Sequence, residues 1–243
     1  MIKNFKSWTL KVKRGVPQGS VLGLILYFIL LNDVSCAIGE KEVVLYADDS
    51  NMIITAATEQ AIEIQAYQNM SAIQQWFQDN NLFLHPEKTR YIVFRHRNKA
   101  DIEPAIFVED KLLERTDSTG FLGLEIDEHL TWLCQTDKLC RKLSSSIFLL
   151  RQFSQINDKN LLLSVYRGIF ESHVRYGIVH WGGCCEQDLN RVLKQQKKAV
   201  RLIAQLNYRE SCRTAFQTLK IMTVTSLYIF ECILFSLKSK RGG

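Results

Sequence analysis

The sequence has no apolar run long enough to cross a bilayer. The longest spans residues 21–31, softened only by Gly23 and Tyr27, and a spanning helix needs roughly 20 residues. No membrane partner is therefore expected. Residues 1–13 are basic, but they lead into no apolar stretch ahead of a cleavage site, which argues against a secretory leader. The seven cysteines are odd in number and scattered without framework spacing. They point to reduced thiols inside the cell rather than to a disulfide scaffold. Low-complexity tracts and internal repeats are also missing, which excludes solenoids and disordered tails.

What is present fits a folded chain. An apolar content of 47% with 23% charged residues is ordinary for a globular protein, and 243 residues permit one large domain or two small ones. The charge is uneven. Residues 1–125 hold 13 Lys and Arg against 16 Asp and Glu, whereas residues 126–243 hold 18 against 9. A mildly acidic half beside a strongly basic one fits a metal site next to a polyanion track. Solvated helices with spare lysines and arginines would give the same imbalance.

Periodicity divides the chain in a similar place. Residues 8–12 alternate as a short strand, and Gly15, Pro17 and Gly19 punctuate a loop over 14–19. Ser20 is placed to cap a helix over 21–32 that is apolar on nearly all sides and is expected to be buried. Residues 43–47 and 50–55 read as two strands with Asp48-Asp49 as the turn between them. Thr58 caps a helix running to about Asn80, with Ile62, Ala66, Met70, Ile73 and Phe77 at helical spacing. Residues 88–95 alternate as a strand, 96–104 form a loop, 105–113 a hairpin and 120–126 a further strand. Four helices then follow, over 129–153, 158–181, 187–207 and about 210–237. The fold class expected is α+β, with a mixed region over 1–127 and an all-helical region over 128–243.

The strand–Tyr46-Ala47-Asp48-Asp49–strand arrangement places two adjacent acids at a hairpin tip. Their repulsion is costly unless a cation offsets it. Hard carboxylate oxygens suit Mg²⁺, which is commonly held by one or two carboxylates together with substrate phosphates. A surface turn that merely tolerates Asp-Asp would look the same in isolation.

Its company is more specific. Arg14-Gly15-Val16-Pro17-Gln18-Gly19-Ser20-Val21-Leu22-Gly23, followed some 25 residues later by Tyr46-Ala47-Asp48-Asp49, resembles reverse transcriptases of non-LTR, LINE-type retrotransposons, the jockey-like group in particular. Leu84-His85-Pro86-Glu87-Lys88-Thr89 resembles the family's lysine-bearing loop. Phe121-Leu122-Gly123-Leu124-Glu125-Ile126-Asp127 resembles its primer-grip strand. Leu130-Thr131-Trp132, Tyr176-Gly177, Trp181-Gly182 and the stretch 195–203 extend the resemblance through the helical region.

The resemblance implies a partial polymerase palm over 1–127 and a thumb followed by a basic C-terminal region over 128–243. It implies RNA-directed DNA synthesis by two-metal nucleotidyl transfer, with Mg²⁺, an RNA template, a DNA primer and deoxynucleoside triphosphates. Asp48 and Asp49 would be the metal ligands. Gln18, Gly19 and Ser20 would shape the pocket for incoming nucleotide and template base, with Tyr46 and Ala47 under the primer terminus. Lys88 would approach the triphosphate. Phe121, Leu122 and Gly123 would support the primer. Nuclear or cytoplasmic residence follows only from that substrate. Leu24 departs from the pattern, standing where the family has proline.

The family also uses a palm carboxylate upstream of the Gly-Val-Pro-Gln-Gly loop, and a fingers region. Residues 1–13 contain no Asp or Glu, and Asp33 is better suited to a turn. The two-ion site is thus expected to be incomplete on this chain, which would represent a fragment that does not polymerise alone.

In the basic half, Arg191, Lys194, Lys198 and Arg201 recur at three- and four-residue steps and share one helix face. Leu189, Val192, Leu193, Val200 and Ile203 form the opposite stripe. Such a face can track phosphates without reading sequence. Cys184-Cys185, with His173 and His180 nearby, lacks zinc-site spacing and reads as buried thiols. Two other functions compete with polymerisation: a non-catalytic nucleic-acid-binding protein derived from such an element, and a metal-dependent nuclease. The 14–20 loop has no part in nuclease chemistry.

Overall fold

The computed structural model describes residues 15, 19–34, 43–47, 49–156 and 158–240. The strand expected over 8–12, and the side chains of Gln18 and Asp48, lie outside the described residues. The protein is a mixture of helices and small two-stranded sheets, and its contacts divide it into two compact units. One comprises residues 1–90 and 102–114, the other 91–101 and 115–243.

In the first unit α1 spans Val21–Leu31 and begins where the sequence predicts. The Gly23 N–H donates to the Ser20 Oγ at 3.0 Å, satisfying one of the helix's orphan donors. The expectation that this helix is buried is wrong. Only Gly23 and Leu31 within it are buried, and Val21 is 79% exposed. Burial requires a second apolar surface, and among the described residues no element lays one along this helix.

Strands β1 (Val43–Tyr46) and β2 (Asp49–Met52) pair antiparallel, with Tyr46 opposite Asp49 and Val43 opposite Met52. Asp49 is therefore the first residue of a strand, not the second residue of the turn. Ala47 takes a left-handed φ of 51°, as a two-residue hairpin connection demands.

Helix α2 (Glu59–Asp79) is capped by Thr58, whose Oγ1 accepts the Ala61 N–H at 3.2 Å. Its buried stripe is carried by Ala66 and Ile73, and the unit's other buried apolar residues include Ile106, Val108 and Leu113. Two acids in its first turns hold the facing segment. Glu59 and Glu63 accept the N–H groups of Glu103 and Ala105 at 2.8 and 2.7 Å. The strand expected over 88–95 shrinks to β3 (Arg90–Tyr91). Alternation alone does not make a strand, because each backbone group also needs a partner. At Arg95 the N–H donates to the Glu128 carbonyl rather than to a ladder. Strands β4 (Phe107–Val108) and β5 (Lys111–Leu112) form the expected hairpin around Glu109 and Asp110, both with positive φ. A two-residue strand, β6, follows at Glu114–Arg115.

The second unit opens on a hairpin where one strand is expected. Strands β7 (Ser118–Phe121) and β8 (Leu124–Asp127) pair around Leu122 and Gly123, whose φ values are 47° and 82°. Helix α3 (Leu133–Ser154) then packs against β8. No side chain of its own caps it. Asp127 instead fixes the turn that leads into it, its carboxylate accepting N–H groups from Trp132, Thr131 and His129 at 2.8, 2.9 and 3.2 Å, and the Thr131 Oγ1 accepts the Leu133 N–H at 3.3 Å. Burial opposes the charge on Asp127, but these donors outweigh it and hold the carboxyl below its usual range.

The helix expected over 158–181 is broken into pieces. It runs as α4 (Lys159–Val165), a π-helical turn (Tyr166–Glu171), α5 (Ser172–Arg175) and, after Gly177 at φ 60°, α6 (Ile178–Trp181). Helix α7 (Glu186–Ala204) lies along α3. The single helix expected over 210–237 is two, α8 (Arg213–Thr218) and α9 (Val224–Ser239), separated by Lys220 at φ 53° and the Thr223 cap.

The core of this unit includes Leu143, Leu150, Tyr166, Phe170, Trp181, Val192 and Val200. The Tyr166 and Phe170 rings stack at 5.1 Å. Among the polar side chains buried in this unit, Gln196 makes the most far-reaching contacts. Gln196 donates to the Tyr166 hydroxyl at 3.0 Å and the Met222 carbonyl at 2.9 Å, and accepts the Val224 N–H at 2.9 Å. It thereby ties the start of α9 to α7 with both amide donors and its oxygen engaged. Among the described residues no helix is long and apolar enough to cross a membrane.

Candidate functional site

Within the first unit, the capped helix and the acidic hairpin meet at one hydrogen bond. The Tyr27 hydroxyl donates to the Ala47 carbonyl, in the hairpin connection, at 3.1 Å. Tyr27 is the sole side-chain hydroxyl in the apolar run of α1, and a tyrosine in such a run commonly has a partner for its polar tip. Side chains on a helix lean toward its N-terminus, so Tyr27 reaches back toward the Ser20 end. Along the helix, Ser20 lies on the order of 10 Å from Tyr27 at 1.5 Å per residue.

Asp49 and its cross-strand partner Tyr46 are exposed, as are Ala47 and Gly19, while Ser20 is half-buried with its hydroxyl committed to the cap. Gly19 has φ 85°, a conformation glycine adopts without strain. Lys88 is exposed in the turn after Pro86, its backbone N–H donating to the His85 carbonyl at 3.0 Å.

Within the second unit, Phe121, Leu122 and Gly123 form the end of the β7–β8 hairpin, and the helix break holds it from behind. The Tyr176 hydroxyl donates to the Leu122 carbonyl. A Cβ on Gly177 would sit 2.8 Å from the Leu124 methyls, so glycine is needed there for both its φ and its size. A cleft of about 390 Å³ opens beside this hairpin, lined in part by Gly123, Lys138, Lys142, Ser172, His173 and Tyr176. Lys138 is paired with Glu125. Lys142 is exposed and enters no ion pair among the described residues.

The four basic residues of α7 divide. Arg191 is bridged to Asp137 and, at 2.9 Å, to Asp188. Hydrogen bonds donated to Asp137 and then to Asp188 raise its pKa further. Arg201 donates to the Glu210 carbonyl at 3.2 Å and lies over the Tyr208 ring. Lys194 and Lys198 are exposed, and Lys198 donates to the Gln195 side chain at 3.4 Å. The stripe beneath is as expected at Val192, Val200 and Ile203, which are buried.

Cys185 departs from its expectation. It is exposed, with its thiol donating to Asp188 at 3.1 Å, whereas Cys184 is partly buried and pushed up to about 11 by that burial. Among the described residues no three His, Cys, Asp or Glu side chains cluster as metal ligands.

The model of the family "Reverse transcriptase (RNA-dependent DNA polymerase)" matches residues 2–126. The chain belongs to the reverse transcriptase family. The jockey-like resemblance read from its motifs holds as well. The chain is 26% identical over 225 residues to the probable RNA-directed DNA polymerase from transposon X-element of Drosophila melanogaster, covering 88% of this chain and 24% of that protein. It is 23% identical over 230 residues to the RNA-directed DNA polymerase from mobile element jockey of the same species, covering 90% and 25%. To the probable RNA-directed DNA polymerase from transposon BS it is 27% identical over 237 residues, covering 92% and 26%. This reverse transcriptase chain thus spans about a quarter of the length of those curated relatives. No solved structure matches it.

Sequence reading missed three contributors. Tyr27 was visible only as a polar interruption of an apolar run. Asp127 stood in a motif but gave no sign of holding the turn over 129–132 that leads into α3. The pairing of Arg191 with Asp137 joins residues 54 apart and left no local signal.

Proposed function

We propose that this chain carries part of the nucleotidyl-transfer machinery of an RNA-directed DNA polymerase. Residues 1–127 would supply the palm portion and 128–243 a thumb-like helical region with a basic C-terminal part. The observation that carries the reading is the Tyr27–Ala47 hydrogen bond. It joins the helix that follows the Gly-Val-Pro-Gln-Gly loop to the hairpin bearing the acids.

Asp48 and Asp49 would hold Mg²⁺ there. Asp49 fits that role, being an exposed hard-oxygen donor at the hairpin's end. The bound cation would supply charge neutralisation for a transferring phosphoryl group and favour deprotonation of the primer 3′-hydroxyl. Gly19, with no side chain, would let a base or sugar approach the backbone. Gln18 and Ser20 would frame that approach, and Tyr46 and Ala47 would underlie the primer end. Lys88, exposed after the Pro86 turn, would meet the triphosphate as a point charge. Phe121, Leu122 and Gly123 would brace the primer strand, held by Tyr176. Lys194 and Lys198, with Arg191 and Arg201, would follow phosphates of the duplex.

The test is Mg²⁺-dependent binding of a fluorescent deoxynucleoside triphosphate to the chain on a primed RNA template, with Asp48→Ala as the control. Binding lost on chelation and in the variant supports the reading. Metal-independent binding, or equal binding by the variant, would leave a non-catalytic nucleic-acid-binding role, which the charge of the second half favours.

A further inference from the structure

The loop joining α7 to α8 presents an aromatic ring that the proposed polymerase chemistry does not use. Residues 207–210 form a tight turn. The Glu210 N–H donates to the Asn207 carbonyl at 3.1 Å, and the Asn207 amide donates to the Glu210 carboxylate. The turn is anchored on one side by the half-buried Leu206, whose N–H donates to the Arg201 carbonyl at 3.0 Å, and on the other by buried Cys212. Its two central residues, Tyr208 and Arg209, point away from the core, and Tyr208 is 85% exposed.

The ring is supported on one face only. The Arg201 guanidinium lies 5.9 Å from its centroid, at the outer edge of cation–π range, and is fixed there by its hydrogen bond to the Glu210 carbonyl. An arginine so placed orients the ring and leaves its opposite face to solvent. Exposing a whole tyrosine on a built turn gains nothing for folding. The surroundings are basic. Lys197, Lys198 and Arg201 occupy the last turns of α7, Arg209 shares the turn, and Arg213 opens α8. The one acid among them, Glu210, is taken up by Asn207.

We propose that Tyr208 is a stacking platform for a base of single-stranded nucleic acid, with Arg209 and Arg213 flanking the phosphodiester backbone. A flat π-face beside several cations is what an unpaired base with its phosphates complements, and stacking of this kind tolerates any base. An apolar protein groove would complement the ring but not the surrounding charge. The inference rests on nucleic acid being a ligand of this protein. It does not rest on the acidic hairpin.

The test is fluorescence anisotropy of the full chain with a labelled oligouridylate, in EDTA and without nucleotide. Failure of the metal-dependent reading above therefore cannot affect the result. Tyr208→Ala is expected to weaken binding by about 5- to 100-fold, the loss that removing one base–aromatic stack gives. Tyr208→Trp, which keeps a π-face, should bind at least as tightly as the parent, and an unchanged melting temperature in both variants excludes misfolding. No binding by the parent chain, an unaltered affinity in Tyr208→Ala, or equal losses in the two variants would overturn the proposal.

Discussion

The hydroxyl of Tyr27 donates to the carbonyl oxygen of Ala47 across a sequence gap of 20 residues. It joins α1 to the tip of the β1–β2 hairpin. Tyr27→Phe keeps the ring and removes the donor. The bond is solvent-exposed, so its loss is expected to cost at most about 1 kcal/mol of stability. The clearer effect should be local. Amide exchange over residues 43–52 is expected to accelerate while exchange in α2 stays unchanged. Equal protection in the two proteins would show that the bond does not position the hairpin.

The β7–β8 hairpin is held by Tyr176 and by the absence of a side chain at Gly177. Tyr176→Phe should destabilise the second unit by about 0.5–1.5 kcal/mol. Gly177→Ala meets both a left-handed φ and a 2.8 Å approach to Leu124, and is expected to cost about 1–3 kcal/mol. Urea denaturation measures both. A Gly177→Ala protein as stable as the parent would contradict the packing described.

Asp127 gives the stability a pH dependence. Its carboxyl titrates below the usual range in the folded protein. Its contribution is therefore complete above the unfolded value, near pH 4, and is lost as pH falls through the depressed folded value. Asp127→Asn should cost about 1–3 kcal/mol at neutral pH, as loss of charged hydrogen bonds to three backbone donors implies. The gap between parent and variant should narrow below about pH 4. A gap that stays constant from neutral to acid pH would show that the charge is not what holds the turn.

The basic face of α7 should not behave uniformly toward nucleic acid. Lys194→Ala and Lys198→Ala are each expected to lower the slope of log affinity against log salt by about 1, as loss of one phosphate contact does. Arg191→Ala should change that slope less, because Asp137 and Asp188 already occupy its guanidinium. It should lower thermal stability instead. Equal slopes for all three variants would contradict the division.

Much of this was legible from residue order, and the failures share a cause. Helix starts at Ser20 and Thr58 followed from side-chain chemistry within three residues, so they were readable. The two acids, the hairpin connection at Ala47 and the stripe on α7 were likewise local. The β7–β8 turn was missed because Leu122-Gly123 lies inside a continuous apolar run, and the left-handed φ of Leu122 has no sequence signature. The exposure of α1 was missed because an apolar pattern says what a helix would bury, not whether a surface is there to receive it. At the basic face, side-chain type told which residues carry charge. Only the fold shows that Arg191 and Arg201 are engaged while Lys194 and Lys198 are open.

The central claim is that Asp48 and Asp49 bind divalent cations together with nucleotide phosphates. Electron paramagnetic resonance of Mn²⁺, titrated into the chain with and without a deoxynucleoside triphosphate, measures that directly. The account predicts Mn²⁺ uptake that strengthens with nucleotide, is abolished in Asp48→Asn and is weakened at least about tenfold in Asp49→Asn, a loss of about 1.4 kcal/mol. Uptake of the same strength in parent and both variants would contradict it.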